Sequence, residues 1–134
     1  MKFNPADKIQ DLQYFGESGG VNPSISDSST YTFLTAKTMA DTFEGNTDGC
    51  YLYSRHSTPS NNFLGESLAA MEGTAAANVA GSGMGAITPT LLQLCGAGDH
   101  IVSSRTIYGG TYAFLKNFTP RMQIQTTFVD ITKL

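Results

Sequence analysis

From residue 35 onward the apolar positions recur with helical or strand spacing, whereas the first 34 residues show little periodicity. Leu34, Thr38 and Phe43 are spaced to share the inward side of a short helix over 35–43, which Gly45 stops. A polar loop, Asn46-Thr47-Asp48-Gly49, leads into an extended run from Cys50 to Tyr53. Pro59 holds Thr58 extended, because its ring clashes with a helical predecessor. Ser60 is then expected to cap a helix ending at Gly73, with Leu64, Leu68 and Met71 on one apolar face. Ala75–Val79 reads as a short buried strand. Gly81-Ser82-Gly83-Met84-Gly85 opens a further helix, whose inner face is Met84, Ile87, Leu91 and Leu94. Pro89 fits that helix only in its first turns, where a missing N–H matters less. His100–Ser103 reads as a second strand, Gly109–Phe118 as a helix closed by Pro120, and Ile124–Val129 as a third strand. Strand, helix, strand, helix, strand is the order of an α/β parallel sheet, since parallel strands need crossover connections.

The opening 34 residues are rich in turn formers but carry Phe3, Tyr14, Phe15, Tyr31 and Phe33. Disordered tails have few aromatics. Residues 1–34 are therefore expected to form an extended arm that packs its rings on another surface, a neighbouring subunit included, and 35–134 to begin the main domain. The chain stops five residues beyond its last strand, where another helix is expected, so the sequence reads as part of a larger protein.

Eleven acids against eight bases leave a net charge of −3. A nucleic-acid binder would carry a basic stripe. No run is long and apolar enough to span a membrane. The N-terminus, Met1-Lys2-Phe3-Asn4-Pro5, has no leader-like apolar stretch, so a cytoplasmic location is expected. Cys50 and Cys95 lack the number and spacing of a disulfide scaffold or a zinc site, and both are expected to be buried thiols.

Three places carry candidate chemistry. The first is the glycine-rich opening around Ser82. A helix N-terminus presents unpaired N–H groups and about half a positive charge. With Gly81, Gly83 and a serine hydroxyl it forms a cup for a phosphate group, or else a tight turn without a ligand. Its spacing is neither the dinucleotide fingerprint nor a P-loop. The second is Tyr108, beyond the carboxyl end of a strand and just before a helix. Its ring is suited to stack on a flat ligand and its hydroxyl to act as an acid or base; the alternative is a tyrosine packed for stability. The third is Tyr51-Leu52-Tyr53-Ser54-Arg55-His56. The Arg55 guanidinium suits a phosphate, and equally a surface ion pair. His56 and His100 read as structural, and Glu66 and Glu72 lie on the polar side of their helix.

Taken in order, Tyr51–Ser60, Leu68-Ala69-Ala70-Met71-Glu72-Gly73, Ser82–Ile87, Gly98-Asp99-His100-Ile101-Val102 and Tyr108-Gly109-Gly110-Thr111-Tyr112 resemble the Cys/Met metabolism enzymes dependent on pyridoxal phosphate. That group contains methionine γ-lyase, cystathionine γ-lyase, cystathionine γ-synthase and O-acetylhomoserine sulfhydrylase. The resemblance runs from about Tyr31 to Leu134. It implies the first part of a fold type I (aspartate aminotransferase-like) large domain. It also implies γ-elimination or γ-replacement on methionine, cystathionine or an O-acylhomoserine, with pyridoxal 5'-phosphate as cofactor. By position, Ser82, Gly83 and Met84 match the segment that holds the cofactor phosphate. Tyr108 matches the tyrosine that stacks on the pyridine ring and takes part in proton transfer. Tyr53 and Arg55 match a pair that reaches the phosphate of a neighbouring subunit's cofactor, in a tetramer built of active dimers. The Schiff-base lysine and the aspartate that pairs with the pyridine nitrogen lie further along in the family. Lys116 and Lys133 are not at the lysine's position, so this stretch alone is expected to be inactive. A non-catalytic cofactor-binding or subunit-assembly module is the alternative, and an unrelated nucleotide-binding domain a more distant one.

Overall fold

The structure is a computed structural model that describes residues 4–11 and 16–133. Phe3, Tyr14 and Phe15, three of the expected arm aromatics, lie outside the described residues. The chain divides into two compact units, Met1–Val79 and Ala80–Leu134.

The first unit is built from three helices: α1 (Pro5–Asp11), α2 (Ala36–Phe43) and α3 (Pro59–Glu72). α2 begins where Thr35 turns its hydroxyl oxygen back to accept the amide of Thr38 at 3.1 Å. The expected inward side of this helix is not buried: Leu34 is 101% exposed and Phe43 is exposed, while the covered residue is Thr42. The Thr42 hydroxyl donates to the carbonyl of Thr38 and accepts from Thr47 Oγ1. Burial here follows a satisfied polar group instead of the apolar spacing.

α3 corrects two expectations. Its cap is Thr58, extended as Pro59 requires, whose oxygen accepts from the Asn61 amide at 3.1 Å. Ser60 is unavailable as a cap because its hydroxyl oxygen accepts the Ser26 amide at 2.7 Å. Proline at the first helical position costs nothing, since that N–H has no intrahelical partner. The helix ends on left-handed Gly73, as expected. Its buried positions, however, are Gly65 and Ala69, and Leu64 and Leu68 are exposed. The reason is a close backbone approach: a β-carbon at position 65 would stand 2.6 Å from the Ala77 carbonyl oxygen. The 75–79 run thus lies against α3. It joins no ladder among the described residues, contrary to the strand expected there. Alanine is a poor strand former.

Part of the expected arm is tied to this unit. Thr30 and Tyr53 form an isolated antiparallel bridge, and the Ser54 amide donates to the Ser29 carbonyl at 3.0 Å. The Tyr31 and Tyr51 rings meet at 5.3 Å between centroids. Tyr31 therefore has a partner within its own chain.

The second unit holds α4 (Gly83–Leu94), β1 (His100–Ser104), α5 (Gly109–Ala113) and β2 (Gln125–Val129). β1 and β2 are parallel, in the register His100↔Gln125 to Ser104↔Val129. This is the βαβ unit that the periodicity predicts. The ladder is extended by Gln125 N–H to Asp99 C=O and Arg105 N–H to Val129 C=O. Arg105 closes the far end with an ion pair to Asp130 at 2.5 Å. His100 opens β1, and its Nε2 lies 2.8 Å from Thr127 Oγ1 on the paired strand. The crossover is longer than expected. α5 widens into a π-helical turn over Phe114–Phe118 and tightens into a 3-10 turn over Thr119–Met122. Pro120 begins that last turn instead of closing the helix, since a first-turn proline sacrifices no hydrogen bond. The crossover packs on the sheet through the Tyr112 and Phe128 rings, 4.7 Å apart, and its small core is Leu115, Thr119 and Ile124.

Pro89 sits in the second turn of α4, inside the helix and not in its first turn. The carbonyl of Gly85 therefore receives no N–H from position 89. None of the α4 residues is buried, and Leu94 is strongly exposed. The expected buried thiols are also corrected: Cys50 is exposed in the loop before the extended run, and Cys95, at the end of α4, is half-buried.

Candidate cofactor site

The opening of α4 is a capped helix end with donors to spare. Ser82 is extended, with φ −161° and ψ 158°, and its Oγ accepts from the Gly85 amide at 2.9 Å. The Ser82 carbonyl accepts the first helical bond, from the Ala86 amide at 3.0 Å. The amides of Gly83 and Met84 are left without an acceptor among the described residues. The serine hydroxyl accepts through a lone pair, so its own proton is free to donate outward. Two amides, one hydroxyl and the positive end of a 12-residue helix make a donor set for a dianionic phosphate. Ser82 and Gly83 are exposed, so an anion can reach them.

Tyr108 immediately precedes α5 and is 71% exposed. Its position relative to the cup is set by packing of α4 against α5. Gly110 is the meeting point. A β-carbon there would lie 2.6 Å from Tyr108 Cε1 and 3.3 Å from Met84 Sδ. The Thr111 hydroxyl contacts the same sulfur at 3.6 Å. The structure thus brings the Tyr108 ring and the Met84 side chain together at Gly110, in the same unit as Ser82 and the open amides of Gly83 and Met84. A phosphorylated flat heterocycle carries both complementary features, so these residues fit the group that the resemblance implies. Gly110 and Thr111 were not candidates on sequence grounds. The paired glycines at the helix start were a visible cue, but the approach of Gly110 to Met84, 26 positions earlier, is tertiary.

Tyr53 and Arg55 lie in the first unit. The guanidinium carbon of Arg55 sits 5.2 Å from the centroid of the Tyr53 ring. Arg55 accordingly makes a cation–π contact where a surface ion pair was the simple reading. His56 falls in the turn after Tyr53, its amide bonded to the Tyr53 carbonyl. No group of three or more metal-ligating side chains occurs among the described residues. No helix among them is long and apolar enough to cross a membrane.

Known proteins are similar to this chain. The chain is 46% identical over 134 residues to a methionine γ-lyase of Arabidopsis thaliana, an alignment covering 96% of this chain and 30% of that protein. It is 35% identical over 106 residues to an O-succinylhomoserine sulfhydrylase of Pseudomonas aeruginosa, covering 79% of this chain and 26% of the relative. The crystal structure of a putative O-acetylhomoserine (thiol)-lyase of Campylobacter jejuni superimposes with a TM-score of 0.88 at 29% identity. That match covers 98% of this chain and 33% of the other, which carries a pyridoxyl-lysine phosphate adduct. The chain thus spans about a third or less of the length of these relatives. Its α/β fold with a parallel strand pair is that of the type I pyridoxal phosphate enzymes. Over residues 8–134 it matches the Cys/Met metabolism PLP-dependent enzymes, and the chain belongs to that family.

Proposed function

We propose that this chain supplies the phosphate cup and the stacking ring of a pyridoxal phosphate enzyme that performs γ-elimination or γ-replacement on methionine, cystathionine or an O-acylhomoserine. The observation that carries the reading is the Ser82 cap, which leaves the Gly83 and Met84 amides open, in the unit where the Met84 sulfur and the Tyr108 ring both border Gly110. The names of the relatives, a lyase and a sulfhydrylase of sulfur amino-acid metabolism, support the reaction class.

In this reading the Ser82 hydroxyl and the two amides hold the phosphate. Tyr108 lies against the pyridine ring, and its hydroxyl holds or moves a proton at the substrate. When bound, the cofactor withdraws electrons from the substrate's α-carbon, so that protons next to it can be lost. Lys116 and Lys133 are given no part as its anchor. The Lys116 ammonium sits 5.4 Å over the Tyr112 ring, engaged on the crossover helix. Tyr53 and Arg55 are assigned to the phosphate of a second copy's cofactor, which makes the working unit a homo-oligomer built of active dimers.

Cofactor retention by the full-length protein tests this. After exhaustive dialysis, visible absorbance reads the fraction of cofactor still bound. Ser82→Ala removes one hydroxyl donor to a dianion and the cap that shapes the helix end. Retention is expected to weaken roughly tenfold to a hundredfold, the range for a hydrogen bond to a charged group. Arg55→Ala is expected to weaken retention by a similar factor, since a guanidinium is lost from the phosphate. Wild-type retention in Ser82→Ala would remove the cup from the site. Wild-type retention in Arg55→Ala would remove Arg55 alone.

A further inference from the structure

We infer that Gly110 is a positioning residue for Tyr108, an inference that rests on the functional reading above. Two glycines open α5, and the structure treats them differently. A β-carbon on Gly109 would meet nothing within 4 Å. A β-carbon on Gly110 would meet Tyr108 Cε1 at 2.6 Å, Tyr108 Cδ1 at 3.2 Å and Met84 Sδ at 3.3 Å. Neither glycine has a left-handed backbone, so the conformation does not call for them. Glycine is a poorer helix former than alanine. At position 110 the return is a gap into which the tyrosine ring folds.

That gap is the main restraint on the ring. Among the described residues the Tyr108 hydroxyl makes no hydrogen bond, and its ring stacks on no other aromatic. Its neighbours at the gap are Gly110 and the Met84 thioether. The sulfur also accepts from the Thr111 hydroxyl at 3.6 Å. When position 110 gains a methyl group, the side that yields is therefore the ring, which turns about two free torsions, and not the backbone. The helix survives while the stacking surface moves. A displacement of about 1 Å in a catalytic group is enough to cost on the order of a hundredfold in rate.

The test compares Gly110→Ala with Gly109→Ala in the full-length protein, with fluorotyrosine incorporated for ¹⁹F NMR. In cofactor-free protein the Tyr108 resonance, assigned by its loss in Tyr108→Phe, is expected to shift in Gly110→Ala and to stay in place in Gly109→Ala. In the loaded protein the circular dichroism of the cofactor band is expected to change in Gly110→Ala alone. There kcat should fall tenfold to a hundredfold, with KM and cofactor retention near wild type. An unmoved resonance in Gly110→Ala overturns the inference. So does a moved resonance with wild-type dichroism and kcat. Failure of the functional reading is distinguishable, because it shows in the retention of Ser82→Ala, whereas the ring shift is read without cofactor.

Discussion

Tyr108→Phe in the full-length enzyme is expected to lower kcat by roughly two to four powers of ten, the span over which a positioned acid or base acts, while the cofactor stays bound. The substitution removes a single oxygen. The phenylalanine ring keeps the stacking area and the fit over Gly110, since the atoms nearest that glycine are Cε1 and Cδ1 and not the hydroxyl. The hydroxyl makes no hydrogen bond among the described residues, so its loss leaves no partner unsatisfied and no reason for the fold to weaken. Effects on binding and on chemistry therefore separate at this position. Cofactor absorbance and dichroism should remain near wild type, and the deficit should appear in kcat and in the pH profile of kcat/KM. Full activity in Tyr108→Phe would leave the residue a stacking surface and place the proton transfer elsewhere.

The second large effect concerns stability. Gly65 stands in the middle of α3, where glycine is a poor choice on propensity grounds, and replacing it with alanine at an open helix site would stabilise by about 1 kcal/mol. Here the sign is expected to reverse. The group 2.6 Å from the new β-carbon is the backbone carbonyl oxygen of Ala77, which has no torsion of its own with which to swing aside. Overpacking of a tight contact costs about 1–3 kcal/mol, so Gly65→Ala should be net destabilising by about 1 kcal/mol. Gly65→Val, with two further carbons and no gain in propensity, should cost about 3 kcal/mol or more. Thermal unfolding of the full-length protein, read by helix circular dichroism, measures both. An alanine variant as stable as wild type would show that the 75–79 run is free to retreat from α3.

The contrast between Gly65 and Gly110 also shows what can be read from a sequence. Both residues appear as helical glycines, and nothing local says that one faces a rigid carbonyl and the other a movable ring. The same limit explains the misread faces. Leu64 and Leu68 have the spacing of a buried stripe, but α3 buries Gly65 and Ala69 because its neighbour at that point is backbone. Ser60 is as good a cap as Thr58 by residue type, and the amide of Ser26, 34 positions away, decides between them. The 75–79 run has strand-like length, yet a strand exists only where another strand offers a ladder, and the neighbour this run meets at Ala77 is Gly65 of α3.

The local chemistry was legible because it depends on neighbours in the chain. A serine placed before a glycine-rich helix start caps that helix and leaves its amides open wherever the helix is put. Alternation and β-branched content likewise mark β1 and β2, and the order of motifs marks the family. The meeting of Met84 with Tyr108 over Gly110, the choice of Gly65 as the buried side of α3 and the stacking of Arg55 on Tyr53 were decided by the tertiary structure. Each depends on which atoms the folded chain brings within about 4–5 Å of one another, and local periodicity carries no record of those distances.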